Sequence, residues 1–241
     1  MDFNKLMFQL IAEMVGSFIL GILVSANKTF GSGLNLAFVC FIPYMMFWKL
    51  SNSHFNPCTT LICMLRKDYD MSIVEGLLYI VAQLIGFFGS NFMIWWFYRE
   101  VMSLNVRKYN GDWQLSEASG LEFFGSVLFL LINTLQLSKS TCLSYNWGIN
   151  CFIVGTSYGV YVAYSSAVTG GSFNPSYALC KTVVDSFDSG EAESIEHLWI
   201  YLLWPFLASF LVFGLYEFFY KKAYEDEENK QNDIERVNEA Y

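Results

Sequence analysis

Six long apolar segments limit the fold of this chain more than any other feature of its sequence. They cover residues 8–25, 34–50, 73–97, 121–137, 149–168 and 198–220. A helix needs about 20 mostly apolar residues to cross the hydrocarbon core of a bilayer. Helices also satisfy their own backbone hydrogen bonds, which lipid cannot do for them. We therefore predict an all-α, multi-pass integral membrane protein with six transmembrane helices.

The composition supports lipid as the solvent for most of the chain. Of the 241 residues, 54% are hydrophobic and 15% are charged, whereas soluble domains carry about 25% charge. Many of the acidic residues lie in 185–196 and after residue 224, so the chain offers no basic surface for nucleic acid. The cysteines lack the spacing of a disulfide framework or a metal site, and no acid/base pair or nucleophile marks an enzyme. We expect no catalysis, no cofactor and no metal.

Two further apolar pieces, Pro57–Leu65 and residues 175–184, are too short to cross a bilayer. They begin with the same kind of triplet, Asn56-Pro57-Cys58 and Asn174-Pro175-Ser176. Asparagine is a favoured N-cap and proline is favoured at the first helical position, so each triplet should begin a short helix. Irregular backbone at membrane depth must be buried in protein or line a cavity. We predict two half-helices that enter the membrane without crossing it.

The two halves of the chain repeat one another. The run from Glu13 to Ser17 resembles the run from Glu122 to Ser126, and the loops before the two Asn-Pro motifs also match. Because each half contains three spans, an odd number, the second copy enters from the opposite side. The sequence therefore predicts one transmembrane channel domain over residues 1–220. Its inverted repeats cover about 8–97 and 121–220, and a charged C-terminal tail covers 221–241.

The irregular segments before the half-helices, residues 51–55 and 169–173, are predicted to line a pore with a ladder of carbonyl groups. The pore-lining side chains of these loops would be Ser53, His54, Phe55, Ser172 and Phe173. The half-helices would meet N-terminus to N-terminus, where each carries about +0.5 charge. That charge opposes cations and protons, and the asparagine amides can donate hydrogen bonds to a water oxygen.

Three ionisable residues of the predicted channel have two interpretations each. Glu13 and Glu122 lie within spans, where acidic side chains are costly. We interpret them as supports that accept hydrogen bonds from the loops, and the alternative is a proton relay. His54 either hydrogen-bonds the loop backbone or makes the pore sensitive to pH.

These motifs resemble the aquaporin family. Residues 50–61, Leu-Ser-Asn-Ser-His-Phe-Asn-Pro-Cys-Thr-Thr-Leu, are similar to the family's first loop, I-S-G-A-H-x-N-P-A-V-T-L. Residues 169–175 resemble the second loop, and residues 79–83 and 199–205 resemble the third and sixth spans. The resemblance covers about residues 8–220. It implies a homotetramer in membrane lipid, with one pore per subunit for water or a small uncharged solute such as glycerol or peroxide.

The sequence departs from the family pattern at the narrowest part of the pore. Cys58 and Ser176 replace alanine, and an Asn-Pro-Cys motif resembles the unorthodox, superaquaporin-like members. Tyr177 replaces the usual arginine, and its ring is expected either to lie against the wall or to plug the lumen. The resemblance places the selectivity filter at Leu36 or Phe38, Val162, Gly171 and Tyr177.

Two other function classes fit the same pattern, an inverted-repeat secondary transporter and a structural membrane protein with a closed pore. The distribution of Lys and Arg favours cytoplasmic termini. That orientation would place a candidate glycosylation site, Asn27, on the opposite side of the membrane.

Overall fold

The computed structural model describes residues 3–30, 33–99, 104, 106–189 and 193–224. Its first half contains α1 (Phe3–Phe30), α2 (Gly33–Val39), α3 (Phe41–Ser51), α4 (Pro57–Leu65) and α5 (Ile73–Tyr98). A short antiparallel hairpin, β1 (Lys108–Tyr109) and β2 (Asp112–Trp113), follows. The second half contains α6 (Leu115–Gln136), α7 (Trp147–Thr169), α8 (Pro175–Ser189), α9 (Glu193–Glu196) and α10 (Leu198–Leu215), which continues as a π-helical turn, Tyr216–Tyr220.

Six segments are long and apolar enough to cross a membrane, as the sequence predicts. They are Phe3–Ala26, Leu34–Ser51, Ile73–Tyr98, Leu115–Gln136, Trp147–Thr169 and Leu198–Tyr224. Large apolar side chains such as Phe124 and Phe210 are more than half exposed on their outer faces, which suits contact with lipid. The predicted fold class, six transmembrane helices with two shorter helices between them, is confirmed.

The second span is interrupted, which the apolar pattern did not show. Helix α2 ends at Val39 and α3 begins at Phe41. Pro43 explains the break, because proline has no N–H to donate to the carbonyl group of Val39. Both pieces pack closely on α7, where a Cβ atom added to Gly159 would lie 2.4 Å from the Leu36 carbonyl oxygen.

The helices of the two halves pack in matching pairs. Helix α1 lies along α5, and α6 lies along α10, so the first and third spans of each half are neighbours. The middle spans, α2 with α3 and α7, pack against each other. The short helices α4 and α8 each contact α5 and α10. This arrangement buries both half-helices inside the protein, where their irregular approach segments avoid lipid.

Candidate functional site: a pore centre built from two half-helices

Each half-helix begins with the cap that its Asn-Pro motif predicts. The Oδ1 atom of Asn56 accepts a hydrogen bond from the Cys58 backbone N–H at 2.9 Å. The Oδ1 atom of Asn174 accepts from the backbone N–H groups of Ser176 at 3.1 Å and Tyr177 at 3.3 Å. Helix α4 has its predicted bounds, whereas α8 continues to Ser189, five residues beyond its apolar run. Both asparagines therefore satisfy N–H groups that a helix start leaves without partners.

The same two asparagines connect the halves to each other. The Nδ2 atom of Asn56 donates to the carbonyl oxygen of Phe173 at 2.8 Å. The Nδ2 atom of Asn174 donates to the carbonyl oxygen of Phe55 at 2.6 Å. These reciprocal bonds bring the two helix N-termini together at the centre of the protein. Each amide has two N–H donors, and this contact uses one of them.

Glu13 of α1 supports the first loop. Its Oε1 atom accepts from the Ser51 hydroxyl at 2.6 Å and the His54 backbone N–H at 2.9 Å. Its Oε2 atom accepts from the Phe55 backbone N–H and from the Gln83 side-chain amide, both at 2.8 Å. The carboxyl group is fully buried and has four donors around it. Glu13 therefore accepts hydrogen bonds from the first loop, and its partners Ser51 and Gln83 were not predicted from the sequence.

Glu122 of α6 occupies the equivalent place beside the second loop. Its Oε1 atom accepts from the Thr169 hydroxyl at 2.7 Å and more weakly from the Ser172 backbone N–H at 3.4 Å. Its Oε2 atom accepts from the Phe173 backbone N–H at 2.9 Å. The two acidic side chains thus hold corresponding backbone groups of the two loops.

A phenylalanine and a glycine complete each support. Phe55 and Phe173 have backbone φ angles of +45° and +52°, a left-handed region that is uncommon for bulky residues. The Phe55 ring fills the space over Gly16, where an added Cβ atom would lie 2.1 Å from the ring. The Phe173 ring fills the space over Gly125, with the corresponding distance 2.3 Å. Both rings therefore pack on helices, and the backbone of each loop is the part directed at the other half.

The His54 side chain is held by two hydroxyl groups that lie outside the first loop, one in α4 and one after it. Its Nδ1 atom lies 3.2 Å from the Thr60 hydroxyl and its Nε2 atom lies 3.0 Å from the Tyr69 hydroxyl. The ring is fully buried. Both ring nitrogens are therefore bonded to side-chain hydroxyls rather than to the loop backbone that we expected as the partner. Nearby, the Ser53 hydroxyl donates to the carbonyl oxygen of Tyr44 at 3.2 Å.

The structure distinguishes between the two candidates for the second-span filter residue. Leu36 is 2% exposed, whereas Phe38 is 52% exposed and packs on the ring of Phe152 at the outer surface. Val162 is buried beside Gly171. A Cβ atom at Gly171 would lie 2.4 Å from the Val162 carbonyl oxygen, and the glycine has a φ of +67°. Leu36, Val162 and Gly171 are thus the predicted filter residues that lie in the interior.

Tyr177 lies against the helices that surround the half-helix. Its hydroxyl lies 3.1 Å from the Ser25 hydroxyl and accepts from the Lys181 amine at 3.2 Å. Its ring meets Phe87 edge-on, with centroids 5.5 Å apart. The side chain is fully buried, and it contacts α1 through Ser25 and α5 through Phe87. The sequence did not indicate the burial of Lys181, which is only 1% exposed.

An ion pair lies at the far end of the first half-helix. Arg66, just after α4, donates from Nη2 to Asp68 at 2.7 Å and to the Tyr216 hydroxyl at 2.9 Å. The Tyr216 hydroxyl also donates to Asp68 at 2.7 Å. Burial by itself raises the pKa of Asp68, but the hydrogen bonds from Arg66 and Tyr216 and the charge of Arg66 outweigh it and lower the pKa to about 2. This cluster fastens α4 to the end of the last span.

Asn27 falls in the last turns of α1, and its side chain lies outside the described residues. The same applies to residues 225–241 of the expected tail.

Comparisons with known proteins agree with this architecture. The sequence profile of the family described as "Major intrinsic protein" matches residues 4–216. The chain is 26% identical over 211 residues to "Glycerol uptake facilitator protein-like 6" of Lactiplantibacillus plantarum, covering 83% of this chain and 93% of the relative. It is 25% identical to "Probable aquaporin NIP7-1" of Arabidopsis thaliana, covering 87% of this chain and 75% of the relative. The aquaglyceroporin structure from Plasmodium falciparum superposes with a TM-score of 0.76 at 18% identity, covering 91% and 99% of the two chains, which shows a common fold.

Proposed function

The chain belongs to the major intrinsic protein family, and on that basis we propose that it is a passive membrane channel for water and small uncharged solutes that excludes ions and protons. The observation that carries this proposal is the reciprocal bonding of Asn56 to Phe173 and of Asn174 to Phe55. It brings two helix N-termini to one point in the middle of a bundle of membrane spans. No step of this function requires catalysis or a cofactor.

The exclusion of cations follows from the direction of the half-helices. Each N-terminus carries about half a positive charge, and the two charges add where the helices meet. A cation that leaves water for this region loses hydration and meets repulsion. A water molecule at the same place can accept a hydrogen bond from the second amide N–H of Asn56 or Asn174. It then cannot pass a proton along a continuous chain of donors.

The solute class follows from the groups around the filter. Leu36, Val162 and Gly171 contribute apolar side chains or backbone, and Tyr177 is engaged with Ser25 and Lys181. An apolar lining cannot replace the hydration that an ion loses, so it admits neutral solutes more readily than ions. The name of the bacterial relative, a glycerol uptake facilitator-like protein, supports glycerol as a test solute. Peroxide is a second neutral candidate of the same class.

We also propose the assembly and orientation that the family resemblance implies. Residues 1–220 would form a single channel domain and 221–241 a charged tail. Four copies would associate in the membrane, each with its own pore, and both termini would be cytoplasmic. The Asn-Pro-Cys motif at Asn56 supports placement among the unorthodox members of the family.

Purified protein in liposomes tests the proposal directly. Stopped-flow light scattering would measure shrinking and swelling in gradients of sucrose, glycerol and peroxide, with protein-free liposomes as the reference. We expect water and at least one neutral solute to cross faster than in the reference, independently of any imposed Na⁺ or H⁺ gradient. Transport that depends on such a gradient would favour a secondary transporter. If the permeabilities to water, glycerol and peroxide all equal those of protein-free liposomes, a closed structural protein is favoured.

Substitution of the central asparagine tests the exclusion of cations. Asn56→Asp keeps the helix cap but replaces the amide donor with a carboxylate, which attracts cations. Its matched control is Asn52→Asp, the same change at an exposed residue whose amide bonds Tyr69. We expect lower water flux and a measurable K⁺ leak in Asn56→Asp only. If Asn56→Asp, like its control Asn52→Asp, has the ion and water permeability of the unmodified protein, the role of Asn56 in excluding cations is wrong.

A further inference from the structure

Two stripes of side chains face each other across the middle spans. Residues four positions apart lie on one face of a helix. One stripe runs along α2 and α3 and the other along α7, and all six side chains are at most 2% exposed. They belong to the central apolar cluster that also contains Phe55 and Phe173 of the two loops. The stripes consist of Leu36, Cys40 and Tyr44 and of Val154, Tyr158 and Val162.

Tyr158 is the member of these stripes that bonds a loop. Its hydroxyl donates to the carbonyl oxygen of Ser172 at 3.0 Å. Its ring packs on Phe129 of α6, with centroids 5.1 Å apart. The residue lies one helical turn before the filter residue Val162, so its hydroxyl reaches the second loop between the filter and Asn174.

Side chains of the protein already use much of the second carbonyl ladder. Within residues 169–173, Tyr201 donates to the Thr169 carbonyl oxygen at 2.6 Å, and Asn56 donates to that of Phe173. Tyr158 donates to the carbonyl oxygen of Ser172. Three of the five carbonyl groups in this loop therefore have a donor from the protein itself.

We propose that Tyr158 is a specificity-determining residue that favours water over polyols. Its hydroxyl takes one of the two acceptor lone pairs of the Ser172 carbonyl group and so leaves fewer acceptor sites for a solute in the pore. A polyol has several hydroxyl groups, and each one that leaves water without a new partner adds to the barrier. A single water molecule has fewer groups to satisfy and is affected less. This inference rests on the proposed channel function.

The phenylalanine variant isolates the hydroxyl from the ring. Tyr158→Phe keeps the ring on Phe129 and releases the Ser172 carbonyl, whereas Tyr158→Val also removes the ring. We expect Tyr158→Phe to raise the ratio of glycerol to water permeability about three- to tenfold, equivalent to about 0.6–1.4 kcal/mol for one hydrogen bond. An increase confined to Tyr158→Val would show that ring size decides, and would overturn the role of the hydroxyl.

Tyr201→Phe is the matched control. Tyr201 also donates to a carbonyl of the second loop and is also fully buried, but it belongs to a separate cluster with Ile200 and Ala178. We expect this variant to leave the permeability ratio unchanged and to lower the unfolding temperature. Tyr158→Phe should lose less stability, because water in the lumen can bond the released carbonyl. An equal loss in both variants would place the Ser172 carbonyl in packed protein and overturn the proposal.

The outcomes separate this inference from the function on which it rests. Normal water flux with an unchanged glycerol ratio in Tyr158→Phe overturns the role of Tyr158 alone. Absence of water and glycerol flux in the unmodified protein and in every variant contradicts the channel function as well. A higher glycerol ratio in Tyr158→Phe, with Tyr201→Phe unchanged, supports both.

Discussion

The two irregular loops before the half-helices share their supports and differ in the side chains that surround their carbonyl groups. Glu13 with Gly16 and Glu122 with Gly125 hold the two loops by the same backbone groups. In each loop a tyrosine of the third span donates to the first carbonyl group, Tyr79 to that of Ser51 at 3.5 Å and Tyr201 to that of Thr169 at 2.6 Å. The second loop differs in the further donor that Tyr158 supplies to the carbonyl group of Ser172. The comparison indicates that the shared contacts fix the half-helices, while the differing contacts adjust what the pore offers to a solute.

The largest expected effect comes from removal of the acidic supports. Glu13→Ala leaves the buried N–H groups of His54 and Phe55 and the Ser51 hydroxyl without their acceptor. At about 1–3 kcal/mol for each buried group, we expect a loss of at least about 3 kcal/mol in unfolding free energy. Glu122→Ala should lose less, since the hydrogen bond that Glu122 accepts from the Ser172 backbone N–H is long, at 3.4 Å. Folded yield and unfolding temperature in detergent would measure both.

Glutamine at the same positions provides the control. Glu13→Gln keeps one acceptor oxygen in nearly the same shape, so its yield should lie between those of the unmodified protein and Glu13→Ala. If both alanine variants unfold at the temperature of the unmodified protein, the supporting role is wrong. If Glu13→Gln alone abolishes flux while it folds normally, the proton-relay alternative gains support.

The glycines beneath the phenylalanine rings should give the next largest effect. Alanine at Gly16 or Gly125 places a Cβ atom 2.1 or 2.3 Å from the ring of Phe55 or Phe173, so the ring must move. Overpacking of this kind costs about 1–3 kcal/mol in unfolding free energy. Because the two sites are equivalent, we expect the two losses in unfolding temperature to be similar. A large difference between them would show that the loops are not supported alike.

Gly120→Ala is the matched control for this pair. Gly120 lies in α6 five residues before Gly125, and a Cβ atom added to it would meet no other atom within 4 Å. Alanine is preferred over glycine within helices by about 1 kcal/mol. Gly120→Ala should therefore be neutral or stabilising. A loss in Gly120→Ala equal to that in Gly125→Ala would attribute both effects to the helix rather than to the ring.

Local signals in the sequence were sufficient for the spans and for the first half-helix. Spans are defined by apolar length, and the start of α4 is defined by the Asn56 cap and the proline that follows it. The end of α8 was missed because a helix can continue through polar residues after its apolar run ends. The break at Cys40 was missed although Pro43 was visible, because proline near a helix start is also compatible with an uninterrupted span.

The sequence did not reveal hydrogen-bond and packing partners that lie far apart along the chain. The repeat indicated that Asn56 and Asn174 belong together, but the acceptors of their amides lie 117 and 119 residues away in the opposite loops. The direction of the Tyr177 ring depends on the space beside Ser25 and Phe87, which only the packing of α1 on α5 creates. Such choices depend on three-dimensional fit, which a residue pattern does not contain.

A smaller effect is expected at the end of the first half-helix, away from both loops. Asp68→Asn removes the counter-charge of Arg66, which is 3% exposed, but leaves the Tyr216 hydroxyl as a partner. Since Asp68 is partly exposed, we expect a loss of about 1–2 kcal/mol. Water and glycerol permeability should change little, because the hydrogen bonds of Asp68 go to Arg66 and Tyr216 rather than to the loops.

The pH dependence of this loss has a defined sign. The folded-state pKa of Asp68, about 2, lies below the ordinary value of 3.8. The ion pair therefore contributes fully above pH 3.8 and is lost as the pH falls through about 2. The difference in unfolding temperature between Asp68→Asn and the unmodified protein should be constant near neutral pH and narrow below pH 3.8. Asp70→Asn, at an exposed neighbour, should show no loss.

The third residue after each central asparagine extends the comparison to the half-helices themselves. Thr59 follows Asn56 by three positions, and its hydroxyl accepts from the Asn133 amide of α6 at 3.1 Å. Tyr177 follows Asn174 by three, and its hydroxyl contacts Ser25 of α1. Each half-helix is thus bonded to the first span of the opposite half. Tyr177, in a position where the family usually has arginine, makes a structural contact equivalent to that of Thr59.

The smallest predicted effect is that of removing the Tyr177 hydroxyl. Tyr177→Phe keeps the ring on Phe87 but removes the hydroxyl that accepts from the buried Lys181 amine. Because the charge of Asp185 still favours the Lys181 ammonium group, we expect a loss of about 0.5–1 kcal/mol. Thr59→Val should lose more, about 1–2 kcal/mol, because it leaves the fully buried Asn133 amide without this acceptor. Unfolding temperatures would test this order of losses, with Tyr164→Phe at a lipid-facing site as the control.

The water flux of Tyr177→Phe tests where the ring lies. If the ring lies at the wall, the flux should change less than about twofold, since a change of 0.4 kcal/mol in a barrier corresponds to that factor. A silent channel that begins to conduct in Tyr177→Ala would instead identify the ring as a plug, and the equivalence of Tyr177 with Thr59 would then be wrong.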